Sequence, residues 1–139
     1  MSQERLRTWR ERAEAVLDAI NRRDFDAVAE MPFVQPQFEF LSALSAMEGR
    51  SYVGASGLRD WAAEMDSVWA NFRIEVTGVR EVPDGRLLVL YRVRGDARGS
   101  GVPLDTRTAQ VWTLRKDKLW RNQSYTDPQA ALEAVGLSE

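Results

Sequence analysis

The order of elements along the chain predicts an α+β fold, with helices packed on one side of a curved antiparallel sheet. Three observations carry that prediction. The chain opens on an amphipathic helical stretch, a second helical stretch follows in its first half, and the second half is a series of strand-like runs separated by tight-turn residues. Helices first and consecutive strands afterwards is the sequence plan of an α+β domain.

The elements follow in order. Residues 3 to 20 read as an amphipathic helix, because Leu6, Trp9, Ala13, Val16, Leu17 and Ile20 recur at three- and four-residue spacing while Arg and Glu fill the intervening positions. Asn21 suits a left-handed helix end. Asp24 can cap a short second helix with Phe25, Val28 and Met31 as its apolar positions, until Pro32 and Pro36 stop it. Gln37 to Leu41 is a first strand. Ser42 to Gly54 reads as loop with room for a short strand. Ser56 suits the cap of a helix reaching about Ala70, with Leu58, Trp61, Met65 and Val68 on one face. That stripe is explained by core packing more simply than by a cofactor.

Four strands come next. Phe72, Ile74 and Val76 alternate with Arg73, Glu75 and Thr77, giving one wet face. After the turn Pro83-Asp84-Gly85, Arg86 to Arg94 puts Leu87, Val89, Tyr91 and Val93 on one side and Leu88, Leu90, Arg92 and Arg94 on the other. A glycine-rich turn, Gly95 to Gly101, leads into a hairpin of Val102 to Arg115 and Leu119 to Asp127, joined by a short charged turn. On its first strand Asp105, Arg107, Ala109, Val111 and Thr113 share one face, and Thr106, Thr108, Gln110, Trp112 and Leu114 the other. Neither face is cleanly polar, as expected of a strand between two partly buried environments. Asp127-Pro128 caps and starts a last helix, Gln129 to Val135, closed by Gly136.

A chain of 139 residues forms one domain able to bury a core. With no apolar run approaching the length of a membrane span and a charge-rich start, neither a transmembrane segment nor a signal peptide is expected, and the expected location is cytoplasmic. The absence of Cys excludes disulfides and thiolate nucleophiles, and the absence of His removes the commonest general base and transition-metal ligand. Acid or base chemistry would therefore fall to Asp, Glu, Tyr, Lys or Arg. A net charge of −2 with scattered arginines argues against a nucleic-acid surface.

Several stretches together resemble the nuclear transport factor 2-like superfamily, specifically its SnoaL-like bacterial branch. They are Ala19-Ile-Asn-Arg-Arg-Asp-Phe-Asp-Ala27, Phe38-Glu39-Phe40, Glu48-Gly49-Arg50 with Gly54, Leu87 to Gly95, Gly99-Ser-Gly101, Ala109 to Arg115, and the ending Tyr125 to Ser138. The resemblance implies a cystatin-like cone, a curved sheet wrapped against the long first helix around an apolar cavity, commonly paired as a homodimer through the outer sheet face. By that analogy the inward set is Val16, Ile20, Leu41, Trp61, Met65, Leu87, Val89, Tyr91, Arg107, Ala109, Val111, Asn122 and Ser124. The outward set is Thr108, Gln110, Trp112 and Leu114, with Trp112 large and flat enough to anchor a dimer.

The superfamily's chemistries are matched only in part. Where ketosteroid isomerases carry a base, a Tyr and a protonated Asp, this chain aligns Leu41, Val16 and Ala109, so that chemistry is lost. Of the Asp, Arg and Asp set of limonene-epoxide-hydrolase-like relatives, Arg107 remains while Ala109 and Ser124 replace the carboxylates. The pocket histidine of many SnoaL-like cyclases is impossible here. What remains is Glu39 as a base, with Arg107 or Tyr91 polarising a carbonyl; the alternative is that Glu39 and Arg107 form a buried ion pair, or that Glu39 lies on the outer face. Asp127 is better explained as a helix cap, and Asp105 as an exposed carboxylate beside a turn. The expectation is a cone binding a small apolar, carbonyl-bearing or aromatic ligand, either with isomerase, cyclase or lyase activity needing no metal or organic cofactor, or as a non-catalytic binding or dimerisation module.

Overall fold

The computed structural model describes residues 2–42 and 51–137. Helix α1 spans Gln3–Asn21; Ser2 caps it, its side chain accepting from the Arg5 amide at 3.1 Å. Trp9, Ala13, Val16, Leu17, Ala19 and Ile20 form its buried stripe. The left-handed residue beyond it is Arg23, at φ 62°, rather than Asn21. The Asn21 amide does other work: its Nδ2 donates to the Ile74 carbonyl at 2.7 Å and its Oδ1 accepts from the Ile74 N–H at 2.9 Å. One side chain thus satisfies an edge-strand residue that has no further strand to pair with. Asp24 caps the short α2, Phe25–Glu30, as expected.

Strand β1, Val34–Leu41, starts three residues before the predicted strand. Pro36 is tolerated because it falls in a gap of the ladder between Val34 and Glu39, where no N–H is required. The two-residue β2, Tyr52–Val53, pairs antiparallel with β1. Helix α3, Gly54–Val68, begins earlier than expected; Ser56 lies exposed in its first turn and does not cap it. The chain then passes directly into β3, Trp69–Glu81, followed by β4, Leu87–Ala97, β5, Pro103–Arg115, and β6, Lys118–Tyr125. Lys116 and Asp117 both have positive φ, 51° and 61°, the two-residue hairpin turn that matches strand twist. Arg5 and Arg12 of α1 reach Asp117 at 2.8 and 3.4 Å and hold that turn. Helix α4, Pro128–Ala134, is capped by Asp127, which accepts from the Ala130 amide at 2.8 Å. The motif Glu48-Gly49-Arg50 and most of the predicted Ser42 to Gly54 loop lie outside the described residues.

The strands form one sheet in the order β2-β1-β6-β5-β4-β3. It is mixed rather than wholly antiparallel: β3 to β6 make the expected meander, but β1 runs parallel to β6. Two apolar clusters result. The larger joins α1, α2 and α3 to the inner face through Trp9, Leu17, Phe38, Trp61, Val89 and Trp112. The smaller lies outside the sheet, where Ala131 and Leu132 of α4 cover Val82, Leu88, Ala109 and Val111.

Helix α3 approaches β2 so closely at Gly57 that a Cβ there would lie 2.7 Å from the Tyr52 carbonyl carbon and 2.9 Å from its Cβ. Gly57→Ala is therefore expected to destabilise by about 1–3 kcal/mol, the usual cost of overpacking. The helix-propensity gain of about 1 kcal/mol would appear instead if the contact were slack. Urea unfolding distinguishes the two signs.

Candidate functional site

Between α3 and the inner face lies a cavity of about 300 Å³. Its wall is aromatic. Phe40 of β1 stacks on Tyr52 of β2 with centroids 5.9 Å apart and meets Trp61 of α3 edge-to-face at 5.1 Å, and Trp61 meets Phe72 of β3 edge-to-face at 5.8 Å. Such pairs add about 0.5–1.5 kcal/mol each beyond area burial and so favour this arrangement of the rings. Met65, Ile74 and Val93 complete the apolar lining. Glu64 stands exposed on the wall, accepting a hydrogen bond from the Tyr52 hydroxyl at 2.7 Å.

The floor is polar but neutral, and the sheet builds it. Directly paired residues share a face, so the pairs Tyr91 with Thr108, Gln110 with Ser124 and Trp112 with Asn122 put these six side chains on one face of β4, β5 and β6. Trp112 Nε1 donates to Gln110 Oε1 at 2.8 Å, Gln110 Nε2 donates to Ser124 Oγ at 3.0 Å, and the Tyr91 hydroxyl lies 3.4 Å from the same Oγ. Burial pushes the Tyr91 phenol well above its ordinary range, while Ser124, Thr108 and Gln110 pull weakly the other way, so it stays protonated across the working pH range. A separate small void of about 20 Å³ on the α1 side is lined by Val16, Ile20, Leu58, Trp61 and Asn122. Asn122 is 6% exposed and its Oδ1 has no hydrogen-bond partner. A second cleft, of about 220 Å³ between α1 and the β3 edge, is lined by charges of both signs, among them Glu14, Asp18, Arg73 and Arg92. Among the described residues no three acidic side chains converge as a metal site would need.

The expected site residues divide into two groups. Tyr91, Trp61, Met65 and Ser124 line the cavity, whereas Val16, Ile20 and Asn122 line only the small separate void beside it. Val89 is buried in the inner core without lining either one. Glu39 and Arg107 are both exposed and touch neither, so the structure makes no buried pair of them and puts no base beside Tyr91 from β1. Leu41 lies one strand position from the lining Phe40, on the opposite face. On β5 the faces are exchanged. Thr108, Gln110 and Trp112 point inward, while Ala109 and Val111 pack outside under α4. Trp112, at 0% exposure, anchors the interior and not a dimer surface. The physical reason is that both faces of β5 are buried at this level, so alternation alone does not say which is the interior.

Sequence reasoning missed Phe40, Tyr52, Glu64, Phe72, Thr108 and Gln110 as cavity residues. For Glu64 a signal existed, because it follows Trp61 by three positions and so lies on its side of α3.

A sequence profile described as a SnoaL-like domain matches residues 13–122. Among curated proteins none matches. Solved structures share the fold. A protein with a ketosteroid isomerase-like fold from Catenulispora acidiphila, in complex with trimethylamine, is 16% identical over 88% of this chain and 89% of its own, with a TM-score of 0.62. TerC, co-crystallised with polyporic acid, is 19% identical over 88% and 93%, with a TM-score of 0.65. A nuclear transport factor 2-like protein from Burkholderia thailandensis is 21% identical over 88% and 92%, with a TM-score of 0.63.

Proposed function

Since the chain belongs to the SnoaL-like domain family, we propose that it binds a small, compact, largely aromatic molecule in the cavity between α3 and the sheet. The observation that carries this reading is the combination of an aromatic wall with a neutral hydrogen-bonding floor. A volume of about 300 Å³ sits at the small end of the roughly 300–1,000 Å³ typical of ligand pockets. The ligand's apolar body would stack among Phe40, Trp61 and Phe72, and its polar atoms would meet Tyr91, Gln110 or Ser124. Two structures of this fold hold small molecules, trimethylamine and polyporic acid, which supports small-molecule binding here.

A catalytic reading, as an isomerase, cyclase or lyase on a carbonyl-bearing substrate, is favoured by Tyr91 alone: a protonated, desolvated phenol is a good donor to a developing oxyanion. Among the described lining residues the single carboxylate available as its base is Glu64. Binding without turnover is the better supported of the two.

Titration of the protein with 1-naphthol, followed by amide and indole NMR shifts, tests the site. Saturable shifts at Trp61, Tyr91 and Ser124 are expected. Trp61→Leu should weaken binding tenfold or more, since tenfold is about 1.4 kcal/mol and an aromatic contact plus its buried area exceeds that. Glu39→Gln and Arg107→Ala should leave it within twofold. Shifts that follow Arg107 or Glu39 and spare the cavity residues would move the site to the outer sheet face.

A further inference from the structure

The charge class of the ligand can be read from the same cavity. We infer that it takes an organic cation, an aryl amine or quaternary ammonium compound whose positive centre sits among the rings of Phe40, Tyr52, Trp61 and Phe72, with the Glu64 carboxylate at the wall as counter-charge. This rests on the ligand-binding reading above and sharpens it.

Four observations converge. The described lining contains six aromatic side chains, the four already named together with Tyr91 and Tyr125. Trp61 meets its neighbours at 87° and 75°, so the ring planes differ in orientation and the wall is not one flat stack; a positive centre within about 6 Å of such ring faces is attracted by their quadrupoles. Although the chain carries 19 Lys and Arg residues, none is among the described lining residues, and the single charged one there is Glu64. The floor adds no charge of either sign, since Gln110, Ser124 and Thr108 are neutral and Tyr91 keeps its proton.

These features rank the three charge classes. An ion of either sign would lose hydration against the apolar wall, but an anion would also meet Glu64 with no cation among the described lining residues to pair with it. A neutral ligand would use burial alone and leave the negative ring faces and the carboxylate unexploited. A cation uses all of them. The Tyr52 hydroxyl, donating to Glu64 Oε2 at 2.7 Å, ties the carboxylate to a lining side chain and does not neutralise it.

The test compares phenyltrimethylammonium with tert-butylbenzene, nearly the same shape with the charged nitrogen replaced by carbon. Binding is read by NMR shifts on the full chain and on the Glu64→Gln and Trp61→Leu variants, each checked for folding by circular dichroism. The cation is expected to bind wild type at least threefold more tightly than tert-butylbenzene. Glu64→Gln should lower that ratio by threefold or more through the cation alone, leaving tert-butylbenzene within twofold. Trp61→Leu should weaken both and shrink the ratio. If tert-butylbenzene binds as tightly as the cation, the charge inference is overturned and the ligand-binding reading stands. If either variant leaves the ratio unchanged, the inference is likewise overturned, because the selectivity then arises elsewhere. If neither probe saturates and 1-naphthol also fails, the ligand-binding reading falls with it.

Discussion

Replacing Trp112 by alanine is expected to lower the free energy of unfolding by about 3–5 kcal/mol, the range for deleting a large aromatic from a core. The side chain is fully buried at the centre of the inner face, between Leu87 of β4 and Asn122 of β6. Removing it also leaves Gln110 Oε1 without its 2.8 Å donor, and a buried acceptor left unpaired costs about 1–3 kcal/mol. Domains of this kind have only about 5–15 kcal/mol in total, so the variant should lie near the edge of folding at 25 °C. Trp112→Phe separates the two contributions: it keeps most of the volume, loses the indole N–H, and should cost the smaller amount. Urea unfolding of both variants gives the answer. Were Trp112 instead on an outer surface that anchors a dimer, Trp112→Ala would shift the unfolding free energy by less than about 0.5 kcal/mol, as surface substitutions do, and would act on association.

The contrast between Trp112 and Trp9 shows what was legible in the amino-acid order. Trp9 sits on a helix whose other face is charged, so a period of 3.6 residues leaves one answer for its direction, and the structure agrees. The caps at Asp24 and Asp127 and the turn at Gly85 were equally plain, because local chemistry alone produces them. Strand β5 offered two apolar faces instead of one, since α4 covers the outside at Ala109 and Val111. A shift of one residue then exchanged the whole set, carrying Arg107 in and Trp112 out. The register with β4 resolves this: Leu87, Val89 and Tyr91 face inward, and their partners Trp112, Gln110 and Thr108 must do so too. Glu39 was legible by a simpler rule, because it stands between Phe38 and Phe40, and if two large aromatic residues face the core the residue between them cannot. The parallel pairing of β1 with β6 joins residues 34–41 to residues 119–123, a contact that no local pattern announces.

Arg23 is expected to give the second large effect, and through a different mechanism. It is the left-handed residue that follows α1, a conformation costing a non-glycine residue about 1–2 kcal/mol. The strain is held because the guanidinium ties three elements together: it reaches the Ile20 and Asn21 carbonyls at 3.0 and 3.2 Å, the Phe72 carbonyl at 3.0 Å, and both oxygens of Asp66 at 2.9 and 2.6 Å. Phe72 and α3 both wall the cavity, so the same side chain positions the site. Arg23→Ala keeps the backbone strain and loses every one of these bonds. With the pair about one-third exposed, a cost of about 2–3 kcal/mol is expected after discounting for solvent. Arg23→Gly loses the same bonds but relieves the left-handed strain, and so should be less destabilised than the alanine variant by about 1 kcal/mol. The reverse order would mean that the backbone there is not strained. Asp66 supplies the pH dependence. Its hydrogen bond from Arg23 is the main reason its carboxyl titrates below the usual range, against a smaller opposing effect of burial. A depressed carboxylate contributes stability that is present above its unfolded pKa of about 3.9 and is lost as pH falls through the folded value. Asp66→Asn should therefore be less stable than wild type at neutral pH, with the gap closing only below about pH 4. Urea midpoints measured from pH 7 down to pH 3 would show a gap that persists unchanged into acid if the Arg23 to Asp66 bond carried no ionic component.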